Sequence, residues 1–232
     1  AKELLDLKSP ISHMRELRDD NYNQFDVDLW KEMVEMGWTA LIIPEEYNGL
    51  NFGYVGLGQV LEEMGRNLTV SPMISTVLVS TTLISFSKNE VLKSKLFDEI
   101  MNGKKLCSLA HEETSHHNPN INLSIISKND QKFILNGKKR LVIDGSISDY
   151  LIISANNESS GKLELIILDS KSKGITFNNK VHMDSKSYSD ISFNNVEFSN
   201  NDFLSSNDDG QKLLSKTLDI ACIGLAAEML GN

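Results

Sequence analysis

Five titratable residues crowd into seven positions: His111, Glu112, Glu113, His116 and His117. Imidazoles and carboxylates this close can bind a metal ion, pass a proton or hold a charged group, and their spacing decides which. A helical zinc site needs two histidines four apart with a glutamate between them, so that both rings share one face. Here His111-Glu112-Glu113-Thr114-Ser115 has serine where the second histidine belongs, so no metal site is expected. A solvated polar loop is the plain alternative. Elsewhere no serine or cysteine sits in the strand-turn-helix setting of an activated nucleophile. Gly53, Gly56 and Gly58 lack the dinucleotide-fingerprint spacing and predict close helix packing instead. Cys107 and Cys222 belong to no CxxC or His partner pattern and are read as buried small apolar residues.

The loop belongs to a longer stretch, Cys107 to Gly145, that divides two kinds of pattern. Before it, apolar residues recur at helical period. Ser9-Pro10 opens a short helix that Asp19-Asp20-Asn21 ends. Asp26 caps the next, which buries Leu29, Trp30, Met33 and Val34 and stops at a left-handed Gly37. Residues 54–64 form a helix closed by Gly65, Ser71-Pro72 starts another through Ile84, and residues 90–101 complete the series. After the divide, strands are expected near 107–110, 122–128, 132–139, 150–155, 162–169, 175–177 and 189–198. Asn129-Asp130 is a turn and Asn136-Gly137 a strand break. With no helix between the strands, an antiparallel barrel or sandwich fits better than a doubly wound sheet.

From Leu218 to Leu230 the pattern is helical again and apolar on nearly every side, with only Asp219 and Glu228 charged. Such a helix must be buried all round, which predicts a packing partner beyond these residues. The fold class is therefore α+β and multidomain. A helical domain spans residues 1–106, a β domain 107–207 and an orphan helix 208–232. The chain has 232 residues, 40% hydrophobic and 24% charged, with a net charge of -9 and a pI near 5.1. This is the composition of a globular protein, and it argues against nucleic acid, which requires a concentrated basic face. Lys138-Lys139-Arg140 is too short to supply one. No run is long and apolar enough for a membrane span and the start lacks signal-peptide features, so a cytoplasmic location is the default.

Order and residues together carry further. FDVDLWKEMVEMGWTALIIPEEYN at Phe25–Asn48, VLEEMGR at Val60–Arg66, Ser71-Pro72, ILNGKK at Ile134–Lys139 and LDIACIGLAAEMLG at Leu218–Gly231 stand in one register over the whole chain. The chain resembles the acyl-CoA dehydrogenase family. The resemblance implies a helical domain, a β domain and a C-terminal four-helix bundle, truncated here after its first helix, with FAD between the last two. It implies α,β-dehydrogenation of an acyl-CoA thioester, in which a glutamate takes the α-proton while hydride leaves the β-carbon for the flavin. In one branch of the family that base falls at the positions of Ala221 and Cys222, and in the other it lies in the bundle. No catalytic residue is therefore expected among these residues, and the fragment alone should be inactive.

By the same resemblance, Leu109, Ala110 and Glu112 would contact the flavin, and Leu141 and Ile143 replace the tryptophan and threonine that face it. Losing one aromatic contact and one hydroxyl bond, about 1 kcal/mol each, weakens FAD binding or abolishes it. His116, His117 and Asp219 would lie near the acyl-CoA, and the run His116-His117-Asn118-Pro119 resembles divergent members that pair with a second subunit. The implied partners are acyl-CoA, other subunits in a homo- or hetero-oligomer, and an electron-transferring flavoprotein. A non-catalytic structural subunit of a heteromeric enzyme is the rival reading. A β-domain binding module unrelated to CoA is a third.

Overall fold

The computed structural model describes residues 1–19, 25–118, 120–129, 131–182, 186–205 and 209–232. Asp20-Asn21, Pro119, Asp130 and the expected domain junction at 207–208 lie outside the described residues. The N-terminal half is helical: α1 Lys2–Lys8, α2 Ile11–Asp19, α3 Val27–Glu35, α4 Gly53–Asn67, α5 Thr81–Phe86 and α6 Glu90–Met101. Asp26 caps α3 as its position predicts, its Oδ1 accepting from the backbone N–H of Asp28 at 2.8 Å and of Leu29 at 3.0 Å. Asp26→Ala is expected to cost about 1 kcal/mol of stability, read by urea denaturation. Gly37 takes the left-handed φ of +79° after α3, a conformation that glycine adopts without penalty.

Gly65 does not close α4. The helix continues to Asn67, and left-handed Leu68 caps it. Gly65 has no side chain for a different reason, since a Cβ there would lie 1.9 Å from the Glu228 carbonyl oxygen. Of the three earlier glycines, Gly58 faces the last helix, with Ala227 Cβ 3.8 Å from its would-be Cβ, whereas Gly53 has open space around it.

The helix expected after Ser71-Pro72 begins as a π-helical segment, Met73–Ser80, and becomes α-helical at Thr81. Hydroxyls explain the wide turn. Ser80 Oγ donates to Ser75 O at 2.7 Å and Thr81 Oγ1 to Thr76 O at 2.9 Å, each reaching back five residues. Thr76 Oγ1 donates to Cys107 O and accepts from Cys107 N–H, stitching the segment to the first strand.

Among the described residues seven strands follow: β1 Cys107–Ala110, β2 Ser124–Asn129, β3 Lys132–Ile143, β4 Tyr150–Asn157, β5 Lys162–Asp169, β6 Ile175–Val181 and β7 Ser187–Ser199. The sheet is mixed rather than antiparallel. β4 runs parallel to both β1 and β2, while β2–β3, β3–β7, β6–β7 and β4–β5 are antiparallel. Alternation in a sequence reports which face a residue takes and not the direction of the neighbouring strand, hence the error. Asn136-Gly137 does not break β3. The register slips there against Asn194-Asn195 of β7, Gly137 adopts φ +143°, and β3 continues to Ile143.

The last helix, α7 Gly210–Gly231, packs along α4, the π-helical segment and β5. It is buried along one face, at Leu214, Thr217, Ala221 and Gly224, and not all round. Ile223, Met229 and Leu230 are 67–75% exposed. Cys222 is also exposed, contrary to expectation, whereas Cys107 is fully buried and its thiol is pushed up to about 12 by that burial. Three apolar cores result among the described residues, and one of them mixes helices with strands. Phe97 and Ile84 pack with Ile152 and Leu165, whereas Leu61 and Leu78 pack with Ile147 of the turn after β3 and Ile220 of α7. Among the described residues no helix is long and apolar enough to cross a membrane.

Candidate functional site

Four elements meet at one cleft of roughly 190 Å³. The end of β1 and the loop after it supply Leu109, His111 and Glu112, and β3 supplies Arg140, Leu141 and Ile143. The π-helical segment contributes Ile74, Ser75 and Val79, and α7 contributes Leu218, Ala221 and Leu225. The lining is mostly apolar with a few polar groups, the usual make-up of a small-molecule site, though below the roughly 300–1,000 Å³ of pockets that enclose a whole ligand. A flat ring system fits such a slot better than a complete dinucleotide does.

Local backbone geometry aims these side chains. Between Lys139 and Val142 the β3–β7 register slips by one residue, and Leu141 is forced to φ +51°. A left-handed non-glycine residue costs about 1–3 kcal/mol, and such strain gathers at functional sites. The bulge is held by Asp190, whose Oδ1 accepts from Leu141 N–H at 3.2 Å while the carboxylate also faces Lys180 and Arg140. Burial alone would raise the Asp190 carboxyl, but Lys180, the Leu141 amide and Arg140 together hold it below the ordinary range. On the opposite wall Ser75 Oγ donates to Asp144 Oδ2 at 2.6 Å, tying the π-helical segment to the end of β3.

Behind the cleft lies a buried ion pair that sequence reasoning missed. Lys139 has no exposed side-chain surface, and its Nζ donates to Glu113 Oε1 at 2.8 Å, His111 O at 2.9 Å and Ser154 Oγ at 3.3 Å. Glu113 in turn accepts from the backbone N–H of Asn122 and Leu123, which pins the loop to the approach of β2. Burial lowers Lys139 to about 8 despite its partner. Burial would raise Glu113, but Lys139 and the two amides outweigh it and leave the carboxyl below its usual value. Both therefore carry charge at neutral pH. The signal was available. Alternation from Leu135 places residues 137 and 139 on the inward face of β3, although Lys138-Lys139-Arg140 reads as a solvated basic run.

Of the residues singled out from the sequence, Leu109, Glu112, Leu141 and Ile143 come together in the cleft. Ala110 does not line it, because its side chain is buried in the core of the sheet. His116 and His117 are exposed on the loop, and Asp219 is exposed on α7 beside the lining residue Leu218. Ala221 lines the cleft and Cys222 faces away.

A helical N-terminal region, a curled mixed sheet and a helix closing a cleft between them define an acyl-CoA dehydrogenase-type fold. Residues 8–104 match the acyl-CoA dehydrogenase N-terminal domain, and proteins named as acyl-CoA dehydrogenases are similar over more than nine-tenths of the chain. It is 27% identical over 222 residues to a 3-(aryl)acrylate reductase of Clostridium sporogenes, covering 91% of this chain and 59% of the relative. To an acyl-CoA dehydrogenase of Bacillus subtilis it is 24% identical over 236 residues, covering 96% and 60%. The ChsE4-ChsE5 complex of Mycobacterium tuberculosis is similar in structure, with a TM-score of 0.88 at 17% identity, over 99% of this chain and 60% of that one. The chain thus spans about 60% of the length of these relatives.

Proposed function

We propose that the chain is the helical and β portion, residues 1–106 and 107–207, of an acyl-CoA dehydrogenase-like flavoprotein subunit, with 208–232 beginning its C-terminal helical domain. The reaction is oxidation of the Cα–Cβ bond of an acyl-CoA thioester. The observation that carries this reading is the convergence of Leu109, Glu112, Leu141 and Ile143, from two separate strand ends, on one apolar slot closed by α7. When bound there, FAD supplies the hydride acceptor for the β-carbon. Leu109, Leu141 and Ile143 offer a flat ring its apolar bed, and the bulge at Leu141 fixes the height of that bed. Ile143 has no hydroxyl to donate and Leu141 no aromatic face, so the slot suits the ring in shape and offers it little hydrogen bonding. His116, His117 and Asp219 stand at exposed positions where they can meet the CoA moiety. The α-proton acceptor lies outside these residues, since the chain carries Ala221 and Cys222 at the family position. An electron-transferring flavoprotein as acceptor and assembly into an oligomer go with this reading.

The same substitutions favour a second reading, a non-catalytic subunit that shapes a partner's active site. The ChsE4-ChsE5 complex, similar in fold, lends support to a heteromeric arrangement. FAD and acyl-CoA titrations of the full chain separate the two. On the first reading FAD binds weakly, and Leu141→Trp with Ile143→Thr tightens it by roughly thirtyfold, about 1 kcal/mol from each contact. Acyl-CoA binding without flavin uptake, unchanged in the double variant, leaves only the structural subunit. Failure to bind either ligand removes the dehydrogenase reading.

A further inference from the structure

We propose that His111, Glu112 and His117 form a binding site for one divalent transition-metal ion of the Zn²⁺ class, at the mouth of the cleft. Each residue offers one ligand atom, and these atoms all lie within 4.8 Å of one another. The helical spacing rule fails on this sequence because the site is not on a helix. A loop turn brings His117 back over His111, with ring centroids 6.2 Å apart.

The side chains already stand close to a ligating arrangement. Glu112 Oε1 takes a bond from His117 Nδ1 at 2.7 Å, so this nitrogen and this carboxylate face one another, and an ion between them takes the place of the Nδ1 proton, leaving Nε2 as the protonated nitrogen. His111 Nδ1 lies 3.0 Å from Ser154 Oγ, and with Nδ1 donating there its Nε2 is left as a ligand. Orientation of one ring nitrogen by a hydroxyl or carboxylate is the usual support behind metal-bound histidine. The third observation is independent of both rings. Glu112 Oε2 is shielded from solvent and accepts no hydrogen bond, and the nearby cation, Lys139, is already paired with Glu113.

Two imidazoles and a carboxylate suit zinc, nickel or copper rather than magnesium or calcium, which prefer all-oxygen ligands. Metal–ligand bonds of about 2.0–2.2 Å require the three atoms to draw together by about 1 Å, within reach of rotation of exposed His117. The nearby ammonium of Lys139 does not forbid a cation, because Glu113 neutralises it. Such an ion would clamp the loop after β1 against the strand end and draw the Glu112 carboxylate toward itself.

The test is Zn²⁺ titration by calorimetry and Co²⁺ titration by visible absorption, on untagged full chain with Cys222→Ser to remove the exposed thiol. The expected result is one saturable ion per chain with a tetrahedral-type Co²⁺ spectrum. Glu112→Gln and His117→Ala, at a partly exposed and an exposed position, with the fold checked as intact by circular dichroism, should each weaken it at least tenfold. His116→Ala and His182→Ala should change it less than about twofold. No saturable binding, binding that survives both ligand variants, or binding lost with His116 or His182 would overturn the assignment.

Discussion

Lys139→Met is expected to cost about 3–5 kcal/mol of folding stability at pH 7, and Glu113→Gln distinctly less. The difference follows from what each change leaves behind. Without Lys139, the Glu113 carboxylate is buried opposite no cation, and it can escape only by taking up a proton. From its ordinary value of 4.5, that escape costs up to about 3.5 kcal/mol at neutral pH, at about 1.4 kcal/mol per unit. His111 O and Ser154 Oγ also lose a buried donor, about 1 kcal/mol each. Without the Glu113 charge, by contrast, Lys139 is already at about 8, so shedding its proton at pH 7 adds only about 1.4 kcal/mol. The glutamine has a single carbonyl oxygen, so it keeps the bond from Asn122 or from Leu123 but not both, a further loss of about 1 kcal/mol. Urea denaturation of both single variants and of the double should show this asymmetry and a coupling of at least about 1 kcal/mol. Equal single losses that simply add would mean that the pair is not electrostatically linked.

That ion pair also shows where the sequence is legible and where it is not. Period-two alternation, as in β7, and short apolar runs buried on both faces, as in β4 and β5, locate the seven strands within a few residues. Helix caps that depend only on local chemistry, Asp26 and Gly37, are equally readable. Contacts between distant segments are not. The bulges opposite Asn194-Asn195 and at Leu141 depend on the partner strand, and neither glycine nor proline marks the second. Without that slip, the inward set on β3 runs on from Leu135 through Lys139 to residue 141. With it, Val142 turns inward and Leu141 is released into the cleft. The residue resembling a flavin contact is thus presented by a strain that no local pattern announces.

The His/Glu loop was illegible for another reason. Metal spacing rules assume a helix, in which residues four apart share a face. On a loop, residues 111, 112 and 117 converge instead, and only three-dimensional closure reveals it. The orphan helix was legible in its pattern and not in its contacts. Apolar residues on all sides announce more apolar surface than these residues cover, and α4 and the π-helical segment take one face and leave Ile223, Met229 and Leu230 exposed.

Gly65→Ala should be the most damaging single-carbon change in α4, and Gly58→Ala, two turns earlier on the same helix, should stabilise it. Ordinary helix energetics favour alanine over glycine by about 0.8–1.0 kcal/mol at both positions. Space decides the outcome. At Gly58 a methyl meets Ala227 Cβ at 3.8 Å, an ordinary contact, so the propensity gain stands. At Gly65 the methyl falls 1.9 Å from the carbonyl oxygen of Glu228, and backbone cannot turn aside as a side chain can. The facing position is equally tight, since a Cβ on Gly231 would lie 1.8 Å from Glu62 O. The two helices must separate at this crossing, losing contacts over the whole α4–α7 seam, so a loss of more than about 2 kcal/mol is expected. Leu218, Ala221 and Leu225 ride on α7 and close the cleft, so its separation also opens the candidate site. Hydrogen exchange should show faster exchange of α7 amides in Gly65→Ala with β3 and β7 unchanged, and slower or unchanged exchange in Gly58→Ala. If the two variants behave alike, the α4–α7 crossing is not as close as the backbone places it.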